Sequence, residues 1–138
     1  IQIGILTLAI ITIIKPLIAY WQLITFIMLS TISVEIGRKM LAKEDDTTED
    51  TFSRQLGYKG SALTLSLFAI ATTLAAYYFV QQHAQNYLYI IAPALVVGLV
   101  LNSAYRYAVD PSRTNAKYIK YAAGLLLIGN TLSIILGA

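Results

Sequence analysis

The chain has 138 residues, no cysteine, 12% charged residues and a mean hydropathy of +0.66. A typical soluble domain carries about 25% charge, so the composition points to a chain built for a bilayer, and the missing cysteines exclude disulfides and thiolate zinc sites. The net charge of +3 comes from bases that flank apolar runs, which bear on membrane topology and not on nucleic acid.

In chain order, residues 1 to about 14 are apolar but short of the roughly 20 residues that span a bilayer. The run reads as the end of a helix whose start precedes Ile1, with no charged region or cleavage site of a signal peptide. Lys15-Pro16 breaks it, because proline removes a helix hydrogen bond. Residues 17 to about 39 form the first full span, with Tyr20 and Trp21 near its start, at the level amphipathic aromatics favour. Residues 40–57 form a polar, acidic loop. A second span covers about 59–79. The short turn that follows contains the lone His83 in a polar stretch and reads as solvated. A third span covers about 88–107, with Pro93 and Gly98 inside it, as membrane helices tolerate. Asp110 to Asn115 form a loop in which Pro111 suits the first helical position, and a fourth span covers about 119–136. Asn102 and Ser103 are expected to bond between helices, and Gly124 and Gly129 to allow close helix packing. The expected fold class is all-α: a transmembrane bundle of about four full helices plus a partial N-terminal one, without β-sheet.

Nine of the ten Lys and Arg fall in residues 38–59 and 106–120, Lys15 being the exception. The positive-inside rule places both loops in the cytoplasm and the 80–87 turn and C-terminus outside.

Glu35, Arg38 and Lys39 stand at i, i+3 and i+4 and share one helix face. Two readings are open: an interfacial ion pair with snorkelling cations, or part of a functional site. Glu44-Asp45-Asp46 and Glu49-Asp50 follow closely. Hard cations such as Mg²⁺ take one or two carboxylates plus substrate phosphates, so the loop reads either as a solvated acidic run or as a metal site for a phosphorylated, lipid-like substrate. Arg106, at another helix end, is either a phosphate contact or a positive-inside anchor.

The run Glu35-Ile36-Gly37-Arg38-Lys39, then Glu44-Asp45-Asp46, then Asp50-Thr51-Phe52-Ser53 with Gly57 beyond, resembles the second acidic motif and following loop of the UbiA-type intramembrane prenyltransferases. The motif match covers about 23 residues. The remaining hydropathy is similar to the last four helices of that nine-helix family. The resemblance implies an all-helical membrane enzyme in which two acidic motifs bind Mg²⁺ and grip an isoprenyl diphosphate, whose allylic cation is captured by a lipid-soluble or aromatic acceptor. Residues 1–138 would then be the C-terminal part of a single transmembrane domain, its N-terminal half and first acidic motif lying outside this chain and the fragment inactive alone. Carried onto this sequence, Glu35, Asp45, Asp46 and Asp50 are the implied metal ligands, and Arg38, Lys39 and Arg106 the implied substrate contacts. Lys39 departs from the common motif, standing where its second acid would be. The implied location is the inner, cytoplasmic membrane with the site on the cytoplasmic side. The competing expectation is a non-catalytic membrane protein, a transporter half or assembly subunit, whose acidic loop binds a partner. The signature run of CDP-alcohol phosphotransferases is missing from the chain.

Overall fold

The computed structural model describes residues 21–45, 51–81 and 90–137. The expected N-terminal partial helix, the Lys15-Pro16 break and most of the 80–87 turn lie outside the described residues. Four helices follow one another: α1 (Trp21–Arg38), α2 (Phe52–Gln81), α3 (Ile91–Val109) and α4 (Arg113–Gly137). The fold is all-α, with no strand among the described residues. Helices α2, α3 and α4 are long and apolar enough to cross a bilayer. The described part of α1 is 18 residues and is not among these candidate spans; residues 17–20, expected to complete it, lie outside the described residues.

Many large apolar side chains face outward, as in a bundle surrounded by lipid, while small residues share the interior with Leu65, Val100 and Leu126. On α2, Leu63, Leu67, Ile70 and Leu74 point outward, while Ser61, Ala62, Ala69, Thr72 and Ala76 are buried. On α4, Leu125, Ile128, Leu132 and Ile135 are exposed, and Ala122, Ala123, Asn130 and Ser133 are inside. A helix in water turns its apolar stripe to the core. In lipid the tails are as apolar as leucine, so small residues that let backbones approach take the interior.

Helices α2 and α4 each pack against all three others, and α1 and α3 flank that central pair. Two glycines permit the closest approaches. A Cβ built on Gly37 of α1 would lie 2.6 Å from the Ala123 Cβ of α4, and one on Gly129 would lie 2.7 Å from Cγ2 of Val96 on α3. Gly124 departs from expectation: a Cβ there meets nothing within 4 Å, so it faces open space instead of a neighbouring helix. The polar links between helices also differ from those expected. Asn102 is exposed, and neither it nor Ser103 makes an interhelical bond among the described residues. Instead Asn130 Nδ2 donates to Thr73 Oγ1 at 3.3 Å, and Ser33 Oγ lies 3.2 Å from Thr72 Oγ1. These bonds tie α4 and α1 to α2 in the interior, where unpaired polar groups are costly.

Two helix starts differ from the expected boundaries. Helix α2 begins at Phe52, inside the stretch expected as loop, with a first turn that breaks at Gly57 (φ 72°, ψ 165°) before the long apolar part. That backbone conformation strongly favours glycine. Helix α4 begins at Arg113, six residues before the expected span, because Ser112 caps it. The Ser112 carbonyl accepts from Ala116 N–H at 2.9 Å and its Oγ from Asn115 N–H at 3.5 Å. Pro111 therefore precedes the cap and does not occupy the first helical position.

The two glycines make opposite predictions. Gly37→Ala should destabilise the bundle by about 1–3 kcal/mol, the usual cost of overpacking. Gly124→Ala should be neutral or raise stability by up to about 1 kcal/mol through helix propensity. Thermal unfolding in detergent micelles reads both, and equal shifts for the two variants would contradict the packing described.

Candidate functional site

An antiparallel four-helix arrangement brings the end of α1, the start of α2, the end of α3 and the start of α4 to one end of the bundle. All seven acids and nine of the ten bases of the chain fall in residues 35–59 and 106–120, whose described parts meet there. Charge is costly at membrane depth, so the helix ends and connections at this end carry the ionisable chemistry.

The acidic loop begins as a strap laid across this end. Residues 39–45 follow α1, and Met40 and Ala42 are buried while Lys43, Glu44 and Asp45 are exposed. The burial of Met40 and Ala42 holds the strap down, and three hydrogen bonds fix its backbone. Leu41 N–H donates to Ser53 Oγ at 3.3 Å, Tyr107 Oη donates to the Leu41 carbonyl at 2.5 Å, and Lys43 N–H donates to the Pro111 carbonyl at 3.0 Å. Tyr107 is fully buried at the end of α3, its ring packed edge-on to Tyr58 at 5.9 Å. The α3–α4 connection beneath is ordered in turn. Asn115 Nδ2 donates to the Asp110 carbonyl at 2.8 Å and to its carboxylate at 3.2 Å.

Two separate groups of ion pairs sit on this platform. Glu35 accepts two hydrogen bonds from Arg38, at 2.9 and 2.6 Å, and lies 3.7 Å from Lys39 Nζ. This is the trio that the i, i+3, i+4 spacing brings together. The second group was not legible in the spacing. Arg113 grips Asp45 through Nε and one terminal nitrogen, at 3.1 and 2.7 Å, and lies 3.3 Å from Glu44. It is 68 positions from Asp45, and no local pattern links the two. Of the remaining expected ligands, Asp46 and Asp50 lie outside the described residues. Arg106 is exposed in the last turn of α3, and no hydrogen bond or ion pair joins its side chain to either group. No three carboxylates converge among the described residues. Between the strap and the α3–α4 connection lies a pocket of about 380 Å³, lined by Lys43, Glu44, Tyr58, Asp110, Pro111 and Ser112. Neither Glu35, Arg38 nor Lys39 lines it.

In chemical terms, this end offers exposed carboxylates, of which Glu35, Glu44 and Asp45 are already matched to a guanidinium and Asp110 to the Asn115 amide. Exposed pairs of this kind contribute only about 0–1 kcal/mol, so either side of a pair can exchange its partner for a ligand at low cost. The oxygens suit a hard cation, and the released guanidinium suits phosphate.

The anchoring of the strap gives a quantitative contrast. Tyr107→Phe removes a buried donor from the Leu41 carbonyl and should cost about 1–3 kcal/mol, with faster amide exchange across residues 40–45. Arg113→Gln removes only exposed ion pairs and should cost less than about 1 kcal/mol. Thermal unfolding in micelles with hydrogen exchange compares them; a larger effect of Arg113→Gln would show that the strap is held by charge.

No family model matches the chain, and no match was found among curated proteins or solved structures.

Proposed function

We propose that this chain carries one acidic half-site of a membrane prenyltransferase, an enzyme that moves an isoprenyl group from its diphosphate to a lipid-soluble or aromatic acceptor. The observation that carries the reading is the motif Glu35-Ile36-Gly37-Arg38-Lys39, Glu44-Asp45-Asp46, Asp50-Thr51-Phe52-Ser53, Gly57, similar to the second motif of the UbiA-type family. Its support in the fold is that Glu35 and the strap bearing Asp45 belong to the charged end of an all-helical bundle with a lipid-suited outer surface.

In this reading Glu35 and Asp45, with Asp46 and Asp50, hold Mg²⁺, whose chemical contribution is to neutralise charge on the diphosphate. The donor chemistry fits, since these are exposed oxygen ligands; the Arg38 and Arg113 pairs must then open. The chain's own cations do the rest. Arg38 and Lys39, one helical turn apart from Glu35 or less, bind the diphosphate oxygens, and Arg106 offers a further positive charge. Glu35 keeps the Arg38 guanidinium aligned through its two hydrogen bonds until phosphate replaces it. Tyr107 and Ser53 position the backbone of the strap and touch no substrate. In this reading the positive-inside rule assigns this end to the cytoplasmic side of the inner membrane, and the chain supplies one of the family's two acidic motifs.

A second reading is favoured by one observation. Glu44 and Asp45 are already neutralised by Arg113, and no carboxylate trio gathers among the described residues. The chain would then be part of a non-catalytic membrane protein, its acidic loop binding a protein partner.

Glu35→Gln in the full-length protein separates the two. Under the transferase reading, Mg²⁺-dependent turnover of an isoprenyl diphosphate falls by about two orders of magnitude or more, the scale of losing an electrostatic catalytic group, while folding and insertion persist. Lys39→Gln should mainly raise KM, as loss of a uniform binding contact does. Near-normal turnover of Glu35→Gln would remove Glu35 from the site.

A further inference from the structure

Helices α1 and α4 leave a groove between them on the outer surface, about 520 Å³ in volume, within the roughly 300–1,000 Å³ of small-molecule sites. One wall is the α4 stripe Lys120, Tyr121, Gly124, Leu125 and Ile128; the other is Val34 and Arg38 of α1. The two helices run in opposite directions, so Arg38, at the end of α1, stands level with Lys120, near the start of α4. Val34 lies deeper, level with the apolar part of the stripe. The lining of the groove is almost wholly apolar, so Arg38 and Lys120 wall it with their aliphatic stems and carry their charges at the rim of its mouth, at the charged end.

Three further observations give the mouth its character. Lys120 is exposed and has no ion-pair partner among the described residues. Arg38 gives two of its five N–H groups to Glu35, leaving others free. Tyr105, Tyr118 and Tyr121 are all exposed near this end, and Lys117 lies 5.9 Å from the Tyr121 ring centre. Exposed tyrosines and lysines at one level mark headgroup depth in a bilayer. The floor is open because residue 124 is glycine: a Cβ there would touch nothing.

We infer that this groove seats one anionic glycerophospholipid of the surrounding leaflet, its phosphate between Arg38 and Lys120 and one acyl chain along Gly124, Leu125 and Ile128. Charge complementarity selects this occupant. An apolar partner helix would leave Lys120 and the remaining N–H groups of Arg38 facing hydrocarbon, whereas basic sites between transmembrane helices suit acidic headgroups. The inference rests on membrane embedding and not on prenyl transfer: Arg38 is shared with the diphosphate contact proposed above, whereas Lys120 and Gly124 take no part in it, so their variants separate the two.

The test uses the full-length protein in a mild detergent, with retained lipid counted by native mass spectrometry. The probes are dioleoyl phosphatidylglycerol, dioleoyl phosphatidylcholine and glycerol phosphate. One phosphatidylglycerol should be retained in clear preference to phosphatidylcholine, and glycerol phosphate, lacking tails, should not displace it. Lys120→Gln should weaken retention about fivefold, the share of one juxtamembrane cation. Gly124→Leu should weaken it at least as much by filling the floor, with helix content unchanged by circular dichroism. Equal retention of the two lipids, or wild-type retention in Lys120→Gln, overturns the proposal. So does the absence of any retained lipid, the result expected if another segment of the protein or a second copy covers the groove. Displacement by glycerol phosphate would show a free-phosphate site and likewise overturn it.

Discussion

A bilayer does not tolerate unpaired charge at its centre, where each ionised side chain costs at least about 2.5–3.5 kcal/mol on insertion scales. The rest of this molecule depends on that constraint. With Lys15 as the one exception, every charged residue lies in residues 35–59 and 106–120, whose described parts meet at one end of the bundle. Between the ends, many leucines and isoleucines face outward, and alanine, serine and threonine share the interior with Leu65, Val100 and Leu126, with Asn130 bonded to Thr73. Any ionic chemistry must therefore happen where α1 turns into α2 and α3 into α4.

What organises that end is mostly uncharged. The ion pairs are exposed and individually weak, whereas the strap is held by buried Met40 and Ala42 and by the hydroxyl of a buried tyrosine. This division has a functional consequence. A platform fixed by packing and backbone hydrogen bonds keeps its shape while the carboxylates and guanidiniums above it exchange partners. A site for a charged, phosphorylated ligand needs that combination, because ligand binding must displace salt bridges without collapsing the loop that carries them.

The helices and the sorting of charge were legible in the sequence because both follow from composition along the chain. The Glu35–Arg38–Lys39 trio was legible because helical periodicity is local. The start of α4 was misplaced because Pro111 drew attention from Ser112, the residue whose oxygens close the first turn. The first turn of α2 was hidden in a polar stretch, where the break at Gly57 looks like loop. Tyr107 as the anchor of the acidic loop and Arg113 as the partner of its carboxylates were not legible, since the residues they bond lie 66 and 68 positions away. Such pairs are set by which helix ends meet, and one sequence does not display that. Gly124 was read as a packing residue from type alone, and only the arrangement of α1 and α4 separates it from Gly37 and Gly129.

The account stands on the chain crossing a membrane with its charged end on one side. These 138 residues contain no cysteine, so in a protein kept free of other cysteines single cysteines report without background. Ser112→Cys lies at the charged end, and Ala84→Cys lies in the polar stretch between α2 and α3. In intact cells, an impermeant thiol reagent should label Ala84→Cys and spare Ser112→Cys, and both should react once the membrane is permeabilised. Labelling of both positions from outside, or protection of Ala84→Cys with labelling of Ser112→Cys, would contradict the account.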